Sequence, residues 1–346
     1  MSALDPPSAQ GEVTTSYNLF YLARPIYGGW VSFTAHLSLK HSLPIHKLST
    51  KTEKRLRPFG YGTYYKNVSS ILPNPIIVAV DRNHYKYLSH FPDDTWIVIH
   101  DTSEITKSIF LPQLLQHLRR FRIITIRKSV QQFLQDTYNL SSLFIIHPFY
   151  PVLVPPSTQG GEKTTTSALA PPSAQGGAKA TRAISISRID YDKHTDILLK
   201  ANQHLPNTHQ ITLHGFANTQ YVYNKLKALP FAEFYEGTFP KTFDALSTIL
   251  KDAKYCIDMS IIQNDGGGTQ YSFLEAIYHG VALVLHKRWL RSDTLFIPNE
   301  NCFAVDNEKE LVELLTRNPD TSEIIKCSRG ILEPHITVDW IEQLKI

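Results

Sequence analysis

Short apolar runs alternate with helix-length amphipathic stretches on both sides of a low-complexity insert, and this alternation narrows the possible architectures more than any other feature of the chain. Before the insert, residues 18–22, 75–80, 96–99, 123–126 and 143–146 read as strands, with a helix that places Val31, Ala35 and Leu39 on one face. After it, residues 183–186, 211–213, 234–235, 255–258 and 281–285 read as strands, separated by helical segments near 194–204, 219–229, 242–252, 270–279 and 308–317. Continuous Val/Ile/Leu runs, rather than strict alternation, are the pattern of strands buried on both faces of a parallel sheet. The expected fold is therefore α/β, two doubly wound Rossmann-like domains in sequence.

The insert marks the boundary between them. Residues 2–11 recur at 167–176 with nine of ten positions identical, and a partial copy runs from Pro155 to Gly161. Proline, glycine and small polar residues bury too little surface to offset the entropy of ordering them. Residues 1–16 and 155–182 are thus expected to be disordered, a tail and a linker without chemistry. This leaves a first domain at 17–154, a second at 183–330, and a C-terminal helix at 331–346.

Composition excludes several classes. The 346 residues are 42% hydrophobic and 19% charged, enough apolar side chain for two cores. No apolar run reaches the length of a membrane span, and residues 1–16 lack the pattern of a secretory signal. The cysteines, Cys256, Cys302 and Cys327, are scattered, which argues against a disulfide scaffold or a cysteine-zinc site and fits a cytoplasmic protein. Charge is divided unevenly. Residues 1–150 hold 16 Lys/Arg against 9 Asp/Glu, whereas residues 183–346 hold 16 against 21. A basic first half points to an anionic partner, with solvated surface charge as the plainer explanation.

In doubly wound sheets, ligands bind beyond the carboxyl ends of the strands, and the chemically capable residues cluster there. Gly28 and Gly29 follow the first strand and would admit a ligand to a helix N-terminus, although a plain turn explains them equally. His100, before Asp101, ends the 96–99 strand and suits contact with a sugar hydroxyl or proton movement, or else a satisfied edge histidine. Arg188 and Lys193 lie five residues apart on a loop opening a helix; a planar fork and a point charge can together grip a diphosphate. A loop salt bridge from Arg188 to Asp190 or Asp192 is the competing reading. Gly266, Gly267 and Gly268, with Thr269, Gln270 and Tyr271, open a helix whose backbone N–H groups would face phosphate oxygens. Glu275 sits on that helix among Phe273, Leu274, Ala276 and Ile277. A carboxylate placed there needs strong hydrogen-bond donors, which the two hydroxyls of a ribose would supply.

At these residues the chain resembles the GT-B glycosyltransferases, particularly the large retaining group that uses nucleotide-diphosphate sugars. Residues 24–33, with Gly28-Gly29, resemble that group's N-terminal glycine loop and first helix. Residues 184–193 resemble its strand ending in an Arg with a Lys five positions on, and residues 271–281 its helix carrying the ribose-binding glutamate. Residues 340–344 resemble the C-terminal helix that crosses back to the first domain. One departure is clear: where many members carry a second glutamate, eight positions before the ribose one, this chain has Gly267.

The resemblance implies a donor such as UDP-glucose on the second domain and an acceptor on the first. Arg188 and Lys193 would stabilise the leaving diphosphate, with His100 at the sugar or acceptor and no metal or other cofactor. A subset of phage enzymes that glucosylate hydroxymethylated DNA bases is similar at the glycine loop, at His100-Asp101 and around residues 271–275. The acceptor expected is the hydroxyl of a glycan or other molecule, an anionic one such as DNA or an acidic glycan included, and a hydroxymethylated DNA base is the alternative. Lys51 to Arg57 and residues 117–122 suit DNA phosphates, an anionic glycan, a lipid surface or nothing equally. A non-catalytic nucleotide-sugar or nucleic-acid-binding protein of the same shape is the alternative from another class. Oligomeric state is left open.

Overall fold

The computed structural model describes residues 16–24, 28–151, 182–240, 242–261, 269–290 and 295–345. Gly266, Gly267 and Gly268, residues 1–15 of the expected tail and residues 155–181 of the expected linker lie outside the described residues.

Two sheets organise the chain. The first contains β1 (Asn18–Leu22), β2 (Ile45–Leu48), β3 (Arg57–Pro58), β4 (Tyr64–Val68), β5 (Pro75–Val80), β6 (Trp96–Ile99), β7 (Arg122–Thr125) and β8 (Ser142–Phe144). Their order is β3-β4-β2-β1-β5-β6-β7-β8, parallel throughout except for the antiparallel β3–β4 pair. The second contains β9 (Ala183–Ser185), β10 (Ile211–Leu213), β11 (Tyr255–Asp258), β12 (Ala282–His286) and β13 (Phe303–Val305), all parallel in the order β10-β9-β11-β12-β13. Strand order reverses beside β1 in one sheet and beside β9 in the other, so each sheet has a switch point where flanking loops diverge and leave a crevice. The expected pair of doubly wound domains is the observed architecture.

The apolar runs form the strands they were expected to form because both faces are covered: all six residues of β5 and all four of β6 are buried. One expected strand fails. Phe234 ends a short helix, Phe231–Phe234, and Tyr235 contributes a single bridge to Leu213. The Pro230 that precedes the segment is a helix-start residue, and this local signal overrides the two aromatics. The strands β2, β4 and β13 were not expected, being half-polar or short. Where one helix was expected at 331–346 there are two, Ser322–Thr337, which starts nine residues earlier, and Trp340–Gln343.

A continuous core joins the two sheets. One buried cluster contains Leu19, Phe33, Leu37 and Ile76 of the first together with Ile184, Phe273, Leu274 and Trp340 from beyond the insert. The junction is built from aromatic and imidazole rings. His36, on the Gly29–His41 helix, stacks on Tyr271 of the Tyr271–Tyr278 helix at 4.7 Å and 4°. The C-terminal segment closes the far side, where Trp340 Nε1 donates to the Ile146 carbonyl (2.9 Å) and its ring meets Phe33 edge-on at 5.2 Å.

Candidate active site

The second domain supplies the most charged part of the site. β11 ends at Asp258, and the loop after β9 carries Lys193 to the same level. Lys193 is buried, and its ammonium donates to Ser260 Oγ at 2.6 Å, Gln270 Oε1 at 3.0 Å and Asp258 Oδ2 at 3.4 Å. Three protons meet three acceptors, which fixes the charge at the switch point of the sheet. Asp258 Oδ1 in turn accepts from the Ser260 amide (2.9 Å) and from its hydroxyl. Gln270 is the N-cap of the helix that bears Glu275. Lys193 and Glu275 are therefore linked through one side chain and about 7.5 Å of helix, five residues at the standard rise.

Arg188 stands differently. Its guanidinium, 48% exposed, lies 3.1 Å from Asp192 Oδ2 and 3.5 Å from Asp190 Oδ2. Among the described residues its ion pairs are with the carboxylates of its own loop, the competing reading of the sequence. That loop is held by a close approach the sequence reading missed. Gly215 has φ +142°, and a Cβ there would sit 2.1 Å from the Ser187 carbonyl oxygen. Only glycine lets the chain leaving β10 pass so near the Ser187-Arg188 peptide.

Glu275 is 2% exposed. Its Oε1 accepts a short hydrogen bond from the hydroxyl of Tyr61, which lies 3.1 Å from Ser32 Oγ as well. Both of these partners belong to the first domain. Burial, followed by the charge of Glu275, pushes the Tyr61 phenol well above its ordinary pKa, so it stays a donor. Tyr271 is also buried near that charge, and its hydroxyl donates to the Pro148 carbonyl at 2.9 Å.

On the first domain, Gly28 caps the Gly29–His41 helix with φ +92°, a backbone that favours glycine, and its carbonyl accepts from the Val31 and Ser32 amides at 3.1 Å. Gly29 has no such constraint. His100 is buried, and its Nε2–H donates to the Val78 carbonyl (2.8 Å) while Phe33 packs edge-on at 4.7 Å. Burial holds its pKa down to about 4, so the ring is neutral at physiological pH, with Nδ1 as the acceptor. Glu104, which sequence reading did not single out, ties this corner together. It accepts from Trp30 Nε1 at 2.7 Å and from the His100 amide at 3.2 Å. Its position four residues after His100, at the start of a helical turn, was the available signal. Thr269 precedes the Gln270 cap and is half-buried.

No family model matches the chain, and no curated protein matches it. Solved structures do. An alpha-glucosyltransferase in complex with UDP and a 13-mer DNA containing a HMU base superposes with TM-score 0.63 at 13% identity, covering 95% of this chain and 98% of that one. A glycosyltransferase from Rickettsia africae gives 0.60 at 11%, covering 96% of each chain. Anabaena Alr3699/HepE in complex with UDP gives 0.58 at 12%, covering 93% and 95%. The chain has the GT-B fold. In GT-B terms, the Lys193 loop and the Gln270–Glu275 segment belong to the second Rossmann-like domain. Gly28, His100 and Tyr61 belong to the first, and Tyr61 meets Glu275 across the junction.

Proposed function

We propose that the protein is a retaining glycosyltransferase that moves a sugar, glucose for instance, from a nucleotide-diphosphate donor to an acceptor hydroxyl. The observation that carries this reading is the chain of contacts from Lys193 through Gln270 to the helix of Glu275. A buried cation and a buried anion are thereby linked through the start of one helix, the two kinds of group that a diphosphate and a ribose call for. In this reading Glu275 accepts from the ribose hydroxyls, and Lys193 and Arg188 take the diphosphate together with the amides of residues 266–270. When the bond between sugar and phosphate breaks, negative charge grows on the departing oxygen, and the two cations stabilise it. Arg188 leaves its loop carboxylates to do so; an exposed ion pair of this kind holds its partner by only about 0–1 kcal/mol. Neutral His100 accepts a hydrogen bond from the sugar or the acceptor. The cations supply the charge that a metal supplies elsewhere, so no metal is required. The retaining outcome rests on the resemblance at residues 184–193 and 271–281.

The solved GT-B structures with UDP or UDP-glucose support the donor class. The experiment is a thermal-shift and UDP-release assay with UDP-sugars. A shift and slow donor hydrolysis, both lost in Lys193→Ala, are expected; a protein that binds donor and never turns it over with any acceptor would instead be a binding protein.

A narrower reading is that the acceptor is a hydroxymethylated base in DNA. It is favoured by the basic first domain, on which Lys51, Lys54, Arg55, Arg57, Arg119 and Arg122 are exposed, and by the DNA-bound structural neighbour. Duplex DNA binding with a steep salt slope supports it, and indifference to DNA removes it.

A further inference from the structure

We infer that Tyr61 occupies the place of the donor's ribose: the first domain plugs the nucleotide carboxylate of the second, and the donor enters by displacing that phenol from Glu275. The inference rests on the reading of Glu275 as the ribose ligand and adds the residue that competes for it. Three observations converge. Glu275 is 2% exposed and Tyr61 3% exposed, so in this arrangement the carboxylate is covered. Oε2 is buried too, and the Tyr61 hydroxyl holds Oε1. What covers it comes partly from across the junction: Ser32 on the tyrosine oxygen, and the Tyr61 ring 4.8 Å from His36 and 5.2 Å from Phe243.

The loop that delivers Tyr61 is under tension. Tyr61 has φ +53° and the following Gly62 φ +78°, two successive left-handed residues. A bulky aromatic in the left-handed region is uncommon, and such residues persist where the surroundings over-determine them. Here the surroundings are the hydroxyl's two partners and the ring cluster. Releasing the phenol relaxes the loop and uncovers Glu275 together. The phenol and the ribose hydroxyls offer the same chemistry, an O–H donated to a carboxylate, so one can replace the other without leaving the buried charge unsatisfied.

UDP titrations on the full chain by calorimetry test this, using wild type, Tyr61→Phe, Glu275→Ala and the double variant. Phenylalanine keeps the ring contacts and removes the competing donor. Tyr61→Phe is expected to bind UDP about threefold to tenfold more tightly, the net scale of one ordinary hydrogen bond. The gain is expected to vanish in the Glu275→Ala background and with a nucleotide lacking the ribose 2′ and 3′ hydroxyls, readouts that a merely structural role would leave unmoved. Should Tyr61→Phe fail to fold, Ser32→Ala, which frees the hydroxyl from its second partner, is expected to shift affinity in the same direction by a smaller factor. Equal or weaker UDP binding by these variants, in a protein that binds UDP, overturns the plug and leaves the donor reading standing. Absence of UDP binding in every form overturns the donor reading and the plug with it.

Discussion

The rings of His147 and His335 lie 4.4 Å apart, tilted by 58°, one in the segment after β8 and the other on the Ser322–Thr337 helix, with His335 Nδ1 donating to the His147 carbonyl at 2.7 Å. Both are buried, and burial holds His147 well below the ordinary histidine range and His335 down to about 4. Both imidazoles are neutral in the folded protein at a pH where the unfolded chain would protonate them. Stability therefore rises with pH between about 4 and 6.5 and is lost on acidification, by roughly 3 kcal/mol for a histidine shifted this far. Tm measured from pH 7.5 to 4.5 should fall steeply below pH 6.5. His335→Gln should flatten that fall while lowering Tm at neutral pH.

Lys193 and Arg188 should separate stability from chemistry. Lys193→Ala leaves Asp258 buried beside Ser260 without its cation, at a cost on the order of 3–5 kcal/mol, so Tm and donor turnover should drop together. Arg188→Ala removes a half-exposed group, and Tm should stay within about 1 kcal/mol equivalent of wild type while transfer falls roughly 100-fold. Parallel melting curves and UDP-release rates decide it; an active Arg188→Ala enzyme would remove that residue from the diphosphate site.

Gly215 and Gly29 should behave as opposites. A Cβ at Gly215 meets the Ser187 oxygen at 2.1 Å, whereas at Gly29 it meets nothing within 4 Å. Gly215→Ala should cost on the order of 3 kcal/mol through overpacking and backbone displacement, and should weaken donor binding because the Arg188 loop moves. Gly29→Ala should be neutral or slightly stabilising in a melt, since it sits in the first helical turn.

Treatment with EDTA should leave donor hydrolysis unchanged to within the scatter of the assay, because in the proposed mechanism Lys193 and Arg188 supply the charge at the leaving group. A loss of activity restored by magnesium or manganese would overturn that expectation.

The fold was legible where both faces of a strand are buried, since continuous apolar runs such as 75–80 leave little choice. It was illegible at β2 and β4, whose Ile45-His46-Lys47-Leu48 and Tyr64-Tyr65-Lys66-Asn67-Val68 mix polar and apolar residues near a sheet edge. Local charge pattern exposed Lys193 and Arg188 together, yet could not say that one is buried on Asp258 and the other lies on its own loop. Tyr61 was invisible for a different reason. Its role depends on a partner 214 residues away, and nothing in Phe59-Gly60-Tyr61-Gly62-Thr63 points to an acid on another domain. Gly215 shows its necessity only when the peptide it passes is known.

The shared core has a mechanical consequence. Because Trp340 and the stacked His36–Tyr271 pair fasten the halves to each other, neither sheet can melt without baring oily surface on its neighbour. Calorimetry should then record a single endotherm rather than two, and a cut between the halves would yield fragments that precipitate instead of folding alone.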